Sequence, residues 1–302
     1  MPNTLITPSL IARTALATLH HSLVFANLVW RDYDGDFTGK QGDTVTIRKP
    51  ATFIAETFNR ATGITLQTIT ENSTTVSLDT IANVSVPVTD EEMTLEMASF
   101  ETQVLNGMVR AIAEKIDGEL AELVVDTANA GGGGGVTTSG ATTPSVAYRS
   151  ALAKLGRNKL PLSDRYAVVS TEAHAHILGE AMLVKVNEAG TSNALRRAIV
   201  GDILGFVNYV TGVMGFGAGD KGQADGVAFH KEAVALVVRP LQTPRGVAPS
   251  QVARESFDGL SMRVVNAYSH MYKQDEISVD VLYGVKALRP EGAVELEFGQ
   301  GS

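Results

Sequence analysis

At 302 residues the chain is long enough for one large or two modest domains with a substantial buried core, and its 44% hydrophobic and 19% charged residues are those of a folded protein. Lysine and arginine number 25 against 33 aspartates and glutamates, a formal charge of −8, which argues against a surface built mainly to grip phosphates. Cysteine is absent, which excludes disulfides, thiolate metal sites and a cysteine nucleophile.

The first residues, MPNTLITPSLIARTALATLHHSLVF, lack the basic start, continuous apolar core and small-residue cleavage site of a secretory signal. No stretch is long and apolar enough to predict a membrane-spanning helix, so the reading expects a protein made in a cytoplasm. Thr7 reads as a helix cap and Pro8 as the first helical residue. Ile11, Ala15, Leu19 and Leu23 then recur at helical spacing, but only Arg13 on the segment is charged. A helix with so thin a polar face lies on another surface, whether that of its own core or of a neighbour.

From Gly39 to Pro87 the pattern changes to period two. DTVTIRK, GITLQTIT and TTVSLD alternate apolar with polar residues and are rich in threonine, which predicts strands with two wet faces. Between the first two lies PATFIAETFNRATG, broken by Pro50 and Gly63, so the region reads as a long hairpin with an irregular tip. A two-stranded excursion of this length is marginal alone. It carries Phe53, Ile54 and Phe58 with no local core to receive them.

Thr89 and Glu92 have the spacing of a capping box. Met97, Phe100, Val104, Met108, Ile112, Ile116, Leu120 and Leu123 then keep one apolar stripe, predicting a helix to about Thr127 that is roughly 50 to 60 Å long. AGGGGGVTTSGATTP, Ala130 to Pro144, reads as a flexible boundary. Beyond it the sequence predicts a helix near Ser145 to Leu155, the strand RYAVVS, a helix starting at STEAHAHILGEAML, the strand GFVNYVTG and the stretch AFHKEAVALVVRPL. Two long alternating strands, joined at Gln274 and Asp275, close the chain as an antiparallel ribbon. The whole is an α+β protein.

Candidate chemistry is sparse. GFGAGDKG, Gly215 to Gly222, has neither the Gly-Lys-Ser/Thr ending of a phosphate loop nor a dinucleotide fingerprint, and reads as a surface turn. His174 and His176 are two apart, whereas helical metal pairs use spacings of three or four. Glu91 and Glu92 fall in a first helical turn, where carboxylates favour the positive end of the dipole. His230, Lys231 and Glu232 are consecutive, so their side chains splay, and the expected arrangement is strand, polar turn, buried strand. No catalytic, cofactor or metal residue is assigned.

The order of elements, with GDILGFVNYVTGVM, FHKEAVALVVRPL and ISVDVLYGVKALRPEGAV, resembles the major capsid proteins of tailed bacteriophages, whose fold is named for the Hong Kong ninety-seven phage. The resemblance implies an N-terminal arm over 1–36, an extended loop over 37–88, and a peripheral domain with spine helix and glycine-rich loop over 89–144. An axial α+β domain over 145–258 and the peripheral ribbon with the C-terminus over 259–302 would follow. The short GFGAGDKGQAD stands where some relatives carry an insertion domain, so none is expected.

The implied function is self-assembly into pentamers and hexamers of an icosahedral shell that encloses double-stranded DNA without gripping it. Assembly would take place in the host bacterial cytoplasm, with scaffolding, portal and decoration proteins as further partners and no membrane. Phe53, Ile54, Phe58 and Arg60 on the loop, and Leu10 and Ile11 on the arm, are the expected intersubunit contacts. Some relatives join subunits by an isopeptide bond from a loop lysine to a neighbour's asparagine. Here the lysines are Lys40 and Lys49, near the loop's base, and the next is Lys115, so a non-covalent shell is expected. The alternatives are an encapsulin-like compartment around cargo enzymes, which shares the fold, and a small-molecule enzyme.

Overall fold

The alternating and helical hydrophobic patterns fold into two sheets that share one long helix. The computed structural model describes residues 23–31, 44–48, 73–89, 100–130, 143–180, 201–214, 225–244, 251–257 and 260–298, with positions 55, 57, 58, 60, 63 and 64. In chain order these form α1 (Phe25–Leu28), β1 (Thr44–Arg48), β2 (Ser73–Ser77), β3 (Thr80–Thr89), α2 (Phe100–Ala130) and α3 (Pro144–Arg157). They continue through β4 (Arg165–Ser170), α4 (Thr171–Gly179), β5 (Val207–Thr211), β6 (Gly226–His230) and β7 (Val234–Arg239) to β8 (Val252–Phe257), β9 (Leu260–Ser269), β10 (Gln274–Ala287) and β11 (Ala293–Leu296). The class is α+β, as the sequence implied.

The larger sheet runs β3-β10-β9-β8, with β7 also paired to β10, and every pairing is antiparallel. Alternation decides its two faces. Val279, Val281 and Tyr283 of β10 turn toward α2 and join Met108, Val109, Ile112, Ile116, Leu120 and Val124 in the main core. Leu282, between them, turns to the opposite face. The β9–β10 turn lies at His270–Lys273 rather than at Gln274 and Asp275, because Gln274 already pairs with Ser269 and Lys273 takes the turn's positive φ of 53°.

The smaller sheet runs β11-β6-β4-β5, and only β4 with β5 is parallel. One face packs on α3 and α4 through Val169, Ala228, Val294, Tyr148, Leu155 and Ile177. From the other face Val168, Val227 and Phe229 enter the main core beside α2. The predicted helices and strands of this region appear at their expected places, with Pro144 starting α3 and Ser170 capping α4 by accepting the Ala173 N–H at 3.1 Å.

Two sequence expectations change, both in the hairpin, and the start of the long helix is not described. The helix described is 31 residues long, or about 46 Å at ~1.5 Å per residue, with Thr89 as the last residue of β3; positions 90–99, including Glu91, Glu92 and Met97, lie outside the described residues. The returning limb of the expected hairpin is divided, since Ser73–Ser77 pairs with β1 while Thr80–Thr89 pairs along its length with β10. The hairpin base also has one dry face. Thr46 and Thr75 are exposed, but Ile47, Val76 and Leu78 are buried against Ala235, Val237, Leu282 and Leu288, the α2-distal face of the larger sheet. The hairpin base is thus a third layer, whose covering surface comes from strands some 150 or more residues away in sequence. The GITLQTIT strand and the glycine-rich segment 131–142 fall outside the described residues.

Leu120 is fully buried where α2 meets the sheets. Leu120→Ala is expected to destabilise the unassembled subunit by about 2–5 kcal/mol in urea unfolding, the range for a buried leucine that leaves a cavity.

Candidate functional site

The His230, Lys231, Glu232 triplet occupies the corner between β6 and β7, where Lys231–Ala233 form a single 3-10 turn. His230 ends β6 and caps that turn, its Nδ1 accepting the Glu232 N–H at 3.2 Å. The Lys231 N–H donates to the Asp164 carbonyl at 3.0 Å, and Glu232 pairs with Arg289 at 3.0 Å. Lys231 and Glu232 form the expected polar turn. His230 departs from it: only 3% exposed, it is held below the ordinary histidine range chiefly by desolvation and so stays neutral. The His230 side chain caps the turn, the Glu232 side chain pairs away with Arg289 and Lys231 is held through its backbone, so the corner is a structural cap.

His174 and His176 lie on α4, and no group of three potential metal ligands exists among the described residues. GFGAGDKG lies outside those residues up to Gly222. Among the described residues no helix is long and apolar enough to cross a membrane.

One buried polar anchor is a residue the sequence reading passed over. Asp117 sits in the buried face of α2, one turn from Ala113 and Ala121. Its carboxylate accepts the backbone N–H groups of Val24 at 2.5 Å and Ala26 at 3.1 Å. It thereby receives the bare amides at the start of α1 and docks the end of the arm on the long helix. Trp30 then runs beside β7, donating to the Val234 carbonyl at 3.1 Å and accepting from the Leu236 N–H at 3.0 Å. Burial raises the Asp117 pKa to about 6, against the lowering effect of the Val24, Ala26 and Phe25 amides. The available signal was an aspartate inside the apolar stripe between Ile116 and Leu120.

A groove of about 700 Å³ opens beside this anchor, lined by Val24, Arg110, Ala113, Glu114, Asp117 and the segment Val210 to Val213. Asp117 is committed to backbone amides there. Glu295 on β11, raised to about 7 by burial and by nearby Glu297 and Asp225, lies on the smaller sheet, where Asp225 accepts the Phe298 N–H at 2.5 Å. Among the described residues neither place sets a nucleophile beside a base.

The surface is more informative. Of the expected contact residues, Phe58 is 62% exposed and Arg60 is exposed, whereas Phe53, Ile54, Leu10 and Ile11 lie outside the described residues. Ile64 on the same hairpin is 78% exposed. Two further apolar patches were missed in the sequence. Met271 and Tyr272, 82% and 68% exposed, cap the β9–β10 turn, and Leu204, Val207, Tyr209, Val210 and Val213 surround β5 at the end of the smaller sheet. In the sequence Val207, Tyr209 and Val210 looked like strand interior; among the described residues β5 is the end strand of its sheet. Such clustered apolar surface marks contact with other molecules.

Comparison with known proteins agrees with this picture. The sequence matches the family model described as Phage capsid protein over residues 51–296. No curated protein matches it. The fold is similar to that of a chain from Mycobacterium phage Che8, with 22% identity, 90% of each chain covered and a TM-score of 0.66. It is also similar to the mature capsid of bacteriophage PhiM1, with 15% identity, 86% of this chain and 83% of that one covered, and a TM-score of 0.61. The virus-like particle from Pyrococcus furiosus is similar at 11% identity, with 95% and 97% covered and a TM-score of 0.52. The fold is the Hong Kong ninety-seven type.

The Asp117 anchor predicts a pH signature. Its folded pKa lies above the ordinary carboxylate value, so its contribution to stability is fully present below about pH 4 and is lost as pH rises through about 6. Urea midpoints of the parent subunit should therefore carry a loss on the order of 3 kcal/mol across that window. Asp117→Asn, which keeps a carbonyl acceptor but does not titrate, should remove this component. Equal slopes in the two proteins would contradict the assignment.

Proposed function

Since this chain belongs to the phage capsid protein family and is a capsid shell protein, we propose that its copies form the pentamers and hexamers of an icosahedral tailed-phage head around double-stranded DNA. The observation that carries this reading is a hairpin with a dry base and, beyond it, exposed apolar side chains at Phe58 and Ile64. Ile47 and Val76 are buried on the body, whereas Phe58 and Ile64 are largely exposed. Covering an aromatic of that kind on a neighbour contributes about 1.5–3 kcal/mol, repeated at every subunit.

The working division is an arm over 1–36, an extended loop over 37–88, a peripheral domain over 89–144 and 259–302, and an axial domain over 145–258. Within it, β3 ties the loop into the larger sheet and β11 returns the last segment to the smaller one. Phe53, Ile54, Phe58, Arg60, Leu10 and Ile11 are the proposed contacts. The net charge of −8 suits a wall that surrounds DNA without holding it. Scaffolding, portal and decoration proteins complete the proposed partners, and assembly takes place in the host cytoplasm. The phage capsid family match favours this reading over a cargo compartment, and the structural role leaves no catalytic activity to assign.

Deleting Thr52 to Thr62 is expected to leave a folded subunit that no longer sediments as particles. Normal particles from that deletion would remove the hairpin from the assembly. Purified parent particles boiled in denaturant should run as one band of monomer size, because no lysine lies between Lys49 and Lys115; a ladder of multimers would overturn the non-covalent shell.

A further inference from the structure

The chain leaves β2 at Ser77, crosses over β10 and enters β3 at Thr80, whose partner on β10 is Tyr283. The residue beneath the crossing is Gly284, which pairs on its other side with Val237 of β7. A Cβ on Gly284 would lie 1.9 Å from the Ser77 carbonyl oxygen, 2.9 Å from its carbonyl carbon and 3.4 Å from the Leu78 Cα. All three are backbone atoms, so no side-chain rotation makes room. The φ of Gly284 is outside the left-handed region, so the need for glycine here is the close approach and not backbone freedom. By contrast, a Cβ on Gly107 would meet nothing within 4 Å.

Around this point the face is floored by Leu282 and by the small Ala235 and Val237, and Ile47, Val76 and Leu78 pack down onto it. We propose that Gly284 is a positioning residue: the bare β10 backbone at that point is the seat on which the hairpin base rests, and it sets the bearing at which the hairpin leaves the body. A side chain there lifts the crossing, and any tilt at the base displaces the outer hairpin in proportion to its distance. The consequence for shell geometry rests on the assembly proposed above, whereas the seating itself belongs to the single subunit.

The test is Gly284→Ala in the full chain, with Gly107→Ala as the control. Hydrogen exchange on the unassembled subunit should show the amides of Thr44–Arg48 and Ser73–Ser77 exchanging at least tenfold faster in Gly284→Ala. Protection in β9 and in the Met108 to Val124 part of α2 should be unchanged, and the control, where alanine favours the helix, should exchange no faster than the parent at any position. The same variant should give no particles, or particles of altered diameter. Unchanged exchange in β1 and β2 would overturn the proposal. So would loss of protection across β9 and α2 together, which would make Gly284 a requirement of the whole fold instead of a hairpin seat. Parent protein that forms no particles would remove the assembly reading, while the exchange result would still decide the role of Gly284.

Discussion

Burial of one stripe of α2 against two sheets at once is the interaction on which the rest of the structure depends. Met108, Val109, Ile112, Ile116, Leu120 and Val124 meet Val279, Val281 and Tyr283 from the larger sheet and Val168, Val227 and Phe229 from the smaller one. At about 1.5–3 kcal/mol for each large side chain removed from water, this shared stripe outweighs any single polar contact in the molecule. It also makes the two sheets one body, so the strands that lie outside it are held on a rigid platform.

Two appendages use that platform differently. The end of the arm is fixed by polarity, with Asp117 receiving the first amides of α1 and Trp30 adding a short backbone pairing to β7. The hairpin base is fixed by packing, with Ile47, Val76 and Leu78 on the far face of the larger sheet. In both cases the attachment is at the root, and exposed Phe58 and Ile64 lie beyond the hairpin's root. A subunit anchored this way is complete in its core and incomplete at its edges, which is the physical condition for building a closed shell from identical copies.

Much of this was legible because local period and global burial agree. The α2 stripe, the alternation of β9 and β10, the buried run of β7 and the helix near Ser145 to Leu155 each follow from patterns within a single element. What escaped depends on partners distant in sequence. TVTIR reads as a wet strand until Ala235 and Leu282 are brought beneath Ile47. VSVPV reads as hairpin until β10 pairs with it, and nothing local in His230 announces its burial at the β6–β7 corner. Asp117 was visible as a charge within an apolar stripe, but its partners are backbone amides more than 90 residues earlier. Exposed Met271 and Tyr272 escaped for a related reason: placing the turn at Gln274 put them inside a strand.

The central claim is that copies of this chain close into a shell through appendages rooted on one subunit and received by the next. Electron cryo-microscopy of the purified full-length protein, at a resolution that traces the backbone, tests it most directly. The account predicts closed icosahedral particles in which the hairpin between Arg48 and Ser73 of each subunit lies across a neighbour. Monodisperse single subunits, or particles in which each hairpin stays on its own subunit, would contradict it.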